Sequence, residues 1–379
     1  MGNEKMKVGM IINLTGAVIA YLIGSGAASG QESMQYYSGW GSVGASVVVA
    51  LSAFLLIYFT YISYSYAGRT RGLEDIRGVF NFYAGGFFGK VFEFAAWMFN
   101  ACCYVFMISG FGNVLNQQWG LPIAVGSAIA VVVSVGTAIC GLSRIVDVIG
   151  KIGPVIIVFI LIIGIVSAFK YFPMIAEGNV AINSGEVEVM RAGANPLLAG
   201  LSFGGCSLLL VAAFVGRMGN DLRQYQFKYN RIILFGGVFS IIVVSFVMGL
   251  NHIGNIQNSA TAPIPNLLLA NELFQGNAVA GAILGGVFAV IILAAIYSTI
   301  CPMVWTCVST FIPDEKSAKY KLASIVGGVV IYIVTLFVPY EVLLNYIMTY
   351  CGYFGMIVGL VCIVRYVMVR MKDKETNQA

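Results

Sequence analysis

Between Leu14 and Gln35 the chain is apolar enough to enter a bilayer, yet it carries Gly24, Gly26 and Gly30 with Ser25 and Ser29 between them. Glycine weakens a helix by about 1 kcal/mol relative to alanine, so this segment is weakest where a spanning helix is ordinarily most regular. An open backbone group in hydrocarbon costs several kcal/mol, so irregular backbone at that depth must be enclosed by protein or by a watery cavity. Further on, the run Ser202-Phe203-Gly204-Gly205-Cys206-Ser207 repeats the pattern inside an apolar stretch that begins at Pro196. Two Gly-interrupted apolar segments in corresponding halves of a chain point to a solute site near mid-membrane between them.

The rest of the sequence agrees with a polytopic membrane protein. Of 379 residues, 59% are hydrophobic and 10% charged; a soluble domain carries about 25% charged residues. The net charge of +5 is scattered over short segments between apolar runs, which argues against nucleic-acid binding. All eight cysteines lie in or at the edge of apolar spans, so they read as small packing residues rather than disulfide partners. The first apolar segment is too long and too polar at its far end for a cleaved signal peptide.

Hydropathy predicts ten spans, at about 8–35, 43–67, 87–113, 121–142, 147–169, 195–217, 230–250, 278–303, 322–338 and 341–366. Residues 263–274 are too short to cross and read as a surface helix in a loop. Of the 21 Lys and Arg, 19 fall in the two tails and the connections after even-numbered spans, leaving only Lys170 and Arg191 on the other side. That asymmetry puts both termini in the cytoplasm of a multi-pass protein of the cell inner (plasma) membrane. Since each half has five spans, the second half runs upside down relative to the first. The predicted organisation is therefore an all-α inverted repeat: residues 1–170, an outer connection at 171–194, residues 195–367, and a cytoplasmic tail at 368–379.

Broken first and sixth spans within ten spans in two inverted halves resemble the LeuT-like amino acid, polyamine and organocation transporter superfamily, over essentially the whole chain. Within it, Gly24-Ser25-Gly26-Ala27-Ala28-Ser29-Gly30-Gln31-Glu32 is similar to the G-A-G-F-A-S-G-Q-E signature of the YkvI-like bacterial membrane proteins, departing from it at Ser25 and Ala27.

The resemblance implies a sodium site. In LeuT-like symporters a Na⁺ is held by carbonyls of the unwound first span and by a carbonyl and two hydroxyls spaced A-x-x-[ST]-[ST] on span eight. Ala295-Ile296-Tyr297-Ser298-Thr299 matches that spacing, and Ala20 and Ile23 offer carbonyls just before the break. A small hard cation wants about five oxygens, which an unwound helix can free. The competing reading is that Ser298 and Thr299 bond back to their own helix. A second sodium site would need an Asn shortly after the break, where Ala27 and Ala28 stand, so one Na⁺ and no organic cofactor are expected.

For the solute, the N–H groups around Gly24, Ser25, Gly26 and Ala27 open the outer half-helix, whose positive end favours an anionic group. Phe203, Gly204, Gly205, Cys206 and Ser207 line the second interruption. Asn100, Cys103 and Tyr104 share one face of span three by their spacing, with ordinary helix packing as the alternative. Gln31 and Glu32 lie towards the outside as gating candidates, and Glu32 is also a candidate for binding an amine or carrying a proton. Glu93 reads as an ion pair with Lys90, and His252 as an outer-loop residue. No nucleotide-binding loop, metal-ligand cluster or paired catalytic carboxylates appear, which argues against a pump, a metal site or an enzyme. The sequence therefore predicts a sodium-coupled symporter of a small zwitterionic or anionic metabolite, an amino acid or close analogue being the best fit, working in lipid by alternating access. Proton coupling through Glu32 is the alternative; a channel or membrane enzyme fits less well.

Overall fold

A computed structural model describes residues 4–22, 25–140, 146–274 and 277–376, and they are almost entirely helical. The first crossing is made in pieces: α1 (Val8–Leu22), α2 (Ser25–Ser29) and α3 (Gln31–Tyr36). It is followed by α4 (Val43–Arg71), α5 (Ile76–Trp119), α6 (Ile123–Cys140), α7 (Val146–Tyr171) and the short α8 (Ile175–Ser184). The second half comprises α9 (Pro196–Asp221), α10 (Phe227–Gly254), the short α11 (Ile256–Ser259) and α12 (Pro265–Glu272), then α13 (Ala278–Ser309), α14 (Ala318–Thr335) and α15 (Tyr340–Thr376). Nine of the described helices are long and apolar enough to cross a membrane, and with the segmented first crossing they account for the ten predicted spans. α5 is longer than a span because Gly85 (φ 80°, ψ 172°) turns the chain from a leading helix into the crossing itself. α15 continues as helix through Thr376, so the predicted tail begins as an extension of the last span.

The packing carries the inverted repeat. Numbering the crossings one to ten, exchange of each with the one five places on maps the main contacts onto one another. The α4–α9 contact corresponds to α10–α1, α4–α15 to α10–α7, α6–α13 to α14–α5, and α5–α9 to α13–α2. At the centre α4 packs on α9 and α10, α1 packs on α10, and α3 touches both α9 and α10.

Two expectations are corrected here. The sixth crossing is not broken: α9 runs as one helix through Ser202 to Ser207. Its glycines serve close approach instead. A Cβ on Gly200 would strike the Val49 carbonyl and Ser52 of α4, and one on Gly205 would strike Gly352 and the Met356 amide of α15. Small residues let helix backbones meet in a membrane, and that packing outweighs weak helix propensity. Residues 263–274 are also not a surface helix, because Pro265, Asn266, Leu267, Leu269 and Ala270 of α12 are buried.

Candidate functional site

The segmented first crossing organises the centre. Ile23 and Gly24, the expected first interruption, lie outside the described residues. A second interruption is fully described: Gly30 separates α2 from α3 in the left-handed region (φ 91°), where a side chain would be strained. A Cβ there would also collide with Asn266, whose backbone amide nitrogen lies 2.8 Å from that position. Asn266 in turn donates its side-chain amide to the Ala27 and Ala28 carbonyls at 3.0 and 3.1 Å. The loop helix α12 thus supplies the partner that the interruption takes away, as irregular backbone at this depth requires. Asn266 escapes sequence reasoning because an Asn beside Pro263 and Pro265 reads as an ordinary turn.

Around this joint the polar groups of α3 divide by helix face. Gln31 donates to the Ala262 and Pro263 carbonyls at 3.0 and 3.1 Å. Gln35, one turn on, donates to the Gln31 side chain at 3.1 Å and the Glu341 carbonyl at 3.0 Å, and accepts from Asn345 at 2.9 Å. These bonds tie α3 to the cover formed by the turn before α12 and the start of α15. His252, expected in a loop, sits in the last turn of α10 and is fully buried, with Nε2 3.0 Å from Asn266 Oδ1.

Glu32 and Tyr36, one turn apart, occupy the neighbouring face of α3. Glu32 is 9% exposed and lies against Gly26 so closely that a Cβ on that glycine would overlap the carboxyl group. Tyr36 packs edge-on against Phe203 of α9, ring centres 5.3 Å apart, and the Ser29 and Tyr340 hydroxyls are 2.9 Å apart. Tyr36 stands one turn after Glu32 on α3, and its contact with Phe203 joins this face of α3 to α9. Sequence alone does not single out Tyr36 or Tyr340, since an aromatic in an apolar span carries no signal beyond packing.

The other expected residues separate into those at this centre and those engaged elsewhere. Gly26 lies against Glu32, Phe203 packs on Tyr36, the Ala27 carbonyl accepts from Asn266, and Cys103 is buried in α5; Ser25 opens α2. Gly204 faces α4, with the Ala53 carbonyl 3.3 Å from its Cβ position, and Gly205 faces α15. The Cys206 thiol donates to the Met348 carbonyl at 2.9 Å. Ser207 is partly buried on the same helix. Asn100 donates to the Met303 carbonyl at 3.1 Å and Tyr104 pairs with Ser134 at 2.7 Å, so both tether α5 to neighbouring helices rather than line the centre. Glu93 pairs with Arg77 at 3.8 Å, not with Lys90.

At the expected sodium position, Ala20 lies in α1 two residues before the helix ends at Leu22, and Ile23 lies outside the described residues. Ala295 is buried, and its carbonyl accepts from Ser298 Oγ at 2.7 Å and Thr299 Oγ1 at 2.9 Å. Both hydroxyl protons therefore go to their own helix, leaving oxygen lone pairs as the groups that could meet a cation.

The other end is closed too. Arg69 at the foot of α4, 9% exposed, donates to the Leu222 carbonyl at 2.6 Å and to the Tyr225 carbonyl, while Glu4 pairs by backbone with Gln224 and Gln226. The Glu32 centre thus lies between two covers.

The arrangement belongs to a known class of fold. The chain is similar to the solved structure of MhsT in complex with L-phenylalanine, at 15% identity and TM-score 0.59, over 97% of this chain and 96% of that one. It is also similar to the Eremococcus coleocola manganese transporter in complex with an aromatic bis-isothiourea substituted compound, at 17% identity and TM-score 0.54, over 97% of this chain and 81% of that one. No protein-family model and no curated protein matches the chain. The protein is a multi-pass membrane protein of the LeuT fold.

Proposed function

We propose that the protein is a secondary active transporter that moves a small amino-acid-like solute together with Na⁺, by alternating access around the Glu32 centre. The observation that carries this reading is the segmented first crossing, whose two pieces α2 and α3 meet at a buried carboxylate between two hydrogen-bonded covers. Binding at a helix interruption lets solute contacts set the relative position of the pieces, which is how occupancy can shift the balance between the two covers. The likeness to a structure holding L-phenylalanine supports an amino-acid-like solute. The span-eight hydroxyls at Ser298 and Thr299, with the Ala20, Ile23 and Ala295 carbonyls, are the proposed Na⁺ ligands.

Purified protein screened by thermal shift against amino acids is expected to be stabilised more in NaCl than in choline chloride. Equal shifts in both salts would overturn sodium coupling and favour a proton carried by Glu32.

The charge bias gives the orientation, with Lys228 inside and the connection after α8 outside. In intact cells a membrane-impermeant thiol reagent is expected to modify Glu188→Cys but not Lys228→Cys, both positions being exposed. The reverse pattern would contradict the orientation. His252 is unsuitable for this purpose because it is buried.

A further inference from the structure

We infer that Glu32 is the counter-charge for an ammonium group, so that the solute carries a positively charged nitrogen whether or not it also carries a carboxylate. This rests on the transporter reading above and narrows its solute class.

Among the residues whose side chains are described, Glu32 and Arg69 are the only Asp, Glu, Lys or Arg that are buried. Arg69 is satisfied by two carbonyls and lies over the Phe227 ring at 5.8 Å. Glu32 has no hydrogen-bond or ion-pair partner among the described residues, which sets it apart from every other charge held inside the fold. A buried carboxylate is costly unless something positive or donating meets it. Its position decides between the roles open to it. Gating bonds are made by Gln31 and Gln35, on the neighbouring face of α3, so the cover needs nothing from Glu32.

The surroundings fit an ammonium group. Tyr36 follows Glu32 by one turn on α3 and its ring packs on Phe203, while the Tyr340 hydroxyl is held by Ser29 at the end of α2. A carboxylate attracts a cationic nitrogen through the ion pair, and an aromatic side chain one turn away on the same helix face adds the attraction of its ring quadrupole. The absence of a side chain at Gly26 leaves the carboxylate against α2 backbone, where a compact –NH₃⁺ can reach both. A purely anionic solute would meet like charge at the same place.

The test uses matched trios of probes: L-phenylalanine, phenethylamine and hydrocinnamate; L-leucine, isoamylamine and isocaproate. Melting temperatures of the purified full-length protein are measured in NaCl with each probe, for the wild type, Glu32→Gln and Glu32→Asp. The amino acid or amine of at least one trio is expected to raise the melting temperature while its nitrogen-free acid does not. Glu32→Gln should weaken that binding at least hundredfold and Glu32→Asp much less. The inference is overturned if a nitrogen-free acid stabilises as well as its amine, if no nitrogen-bearing probe stabilises the wild type, or if Glu32→Gln keeps the wild-type response. The wild-type trio comparison decides the matter even if a variant does not fold. Gradient-driven uptake of a nitrogen-free acid would overturn this inference while keeping the transporter reading. Amine binding that depends on Glu32 without any uptake would do the opposite.

Discussion

Gly205→Leu is expected to yield no correctly assembled protein, whereas Gly136→Leu should assemble normally. At Gly205 a Cβ would overlap the Gly352 carbonyl and lie 2.6 Å from the Met356 amide nitrogen, and the relation is reciprocal, since a Cβ on Gly355 would overlap Gly205. Every atom in the way is backbone of α15, so no rotamer change relieves the clash. Relief requires moving α15 away from α9, which would also strip Ser202 and Cys206 of their bonds to the Met348 and Thr349 carbonyls. Overpacking of a core ordinarily costs about 1–3 kcal/mol, and a backbone-to-backbone clash belongs at or above the top of that range. Gly136 has nothing within 4 Å of its Cβ position, so the same substitution meets open space. Size-exclusion profile and melting temperature of the two variants read the difference; a monodisperse Gly205→Leu with wild-type melting would contradict the α9–α15 contact.

The second large effect concerns coupling. Ser298→Ala with Thr299→Ala removes two of about five oxygens from the proposed Na⁺ shell, and the remaining carbonyls cannot rebuild it. Substrate affinity is expected to fall with the loss of Na⁺ by linkage, since both sites depend on the same interruption of the first crossing. Such coupling amounts to about 1–3 kcal/mol, roughly 5- to 150-fold. The geometry leaves a clear rival: both hydroxyls bond to the Ala295 carbonyl, and if that were their whole role the double variant would lose only a small amount of stability. Titrating substrate affinity against Na⁺ concentration for wild type and variant separates the two. An unchanged sodium midpoint would remove these hydroxyls from the cation shell.

Much of the architecture is legible in the sequence because membrane insertion leaves simple marks. Apolar length marks each crossing, the one-sided Lys and Arg mark the connections, and Gly30 marks a real interruption, since the left-handed backbone there has no room for a side chain. The same residue type misleads at Gly204 and Gly205. Glycine serves both a broken helix and a close helix contact, and only the facing backbone of α4 and α15 tells which. Burial of α12 and His252 is likewise hidden, because what covers a polar loop comes from elements distant in the chain. Asn100 and Tyr104 share the expected face, yet their partners Met303 and Ser134 lie on other helices and draw them away from the centre. Glu32 stands out in both views, as an acidic residue within an apolar crossing and as a buried carboxylate without a partner among the described residues.

The central claim is coupled transport, and flux measures it most directly. Protein reconstituted in liposomes, with radiolabelled L-phenylalanine and L-leucine outside, is expected to accumulate at least one of them above its outside concentration when an inward Na⁺ gradient is imposed. Accumulation should collapse to equilibration when a sodium ionophore dissipates the gradient. Downhill equilibration at the same rate with or without the Na⁺ gradient, or accumulation that follows only a proton gradient, would contradict sodium-coupled transport.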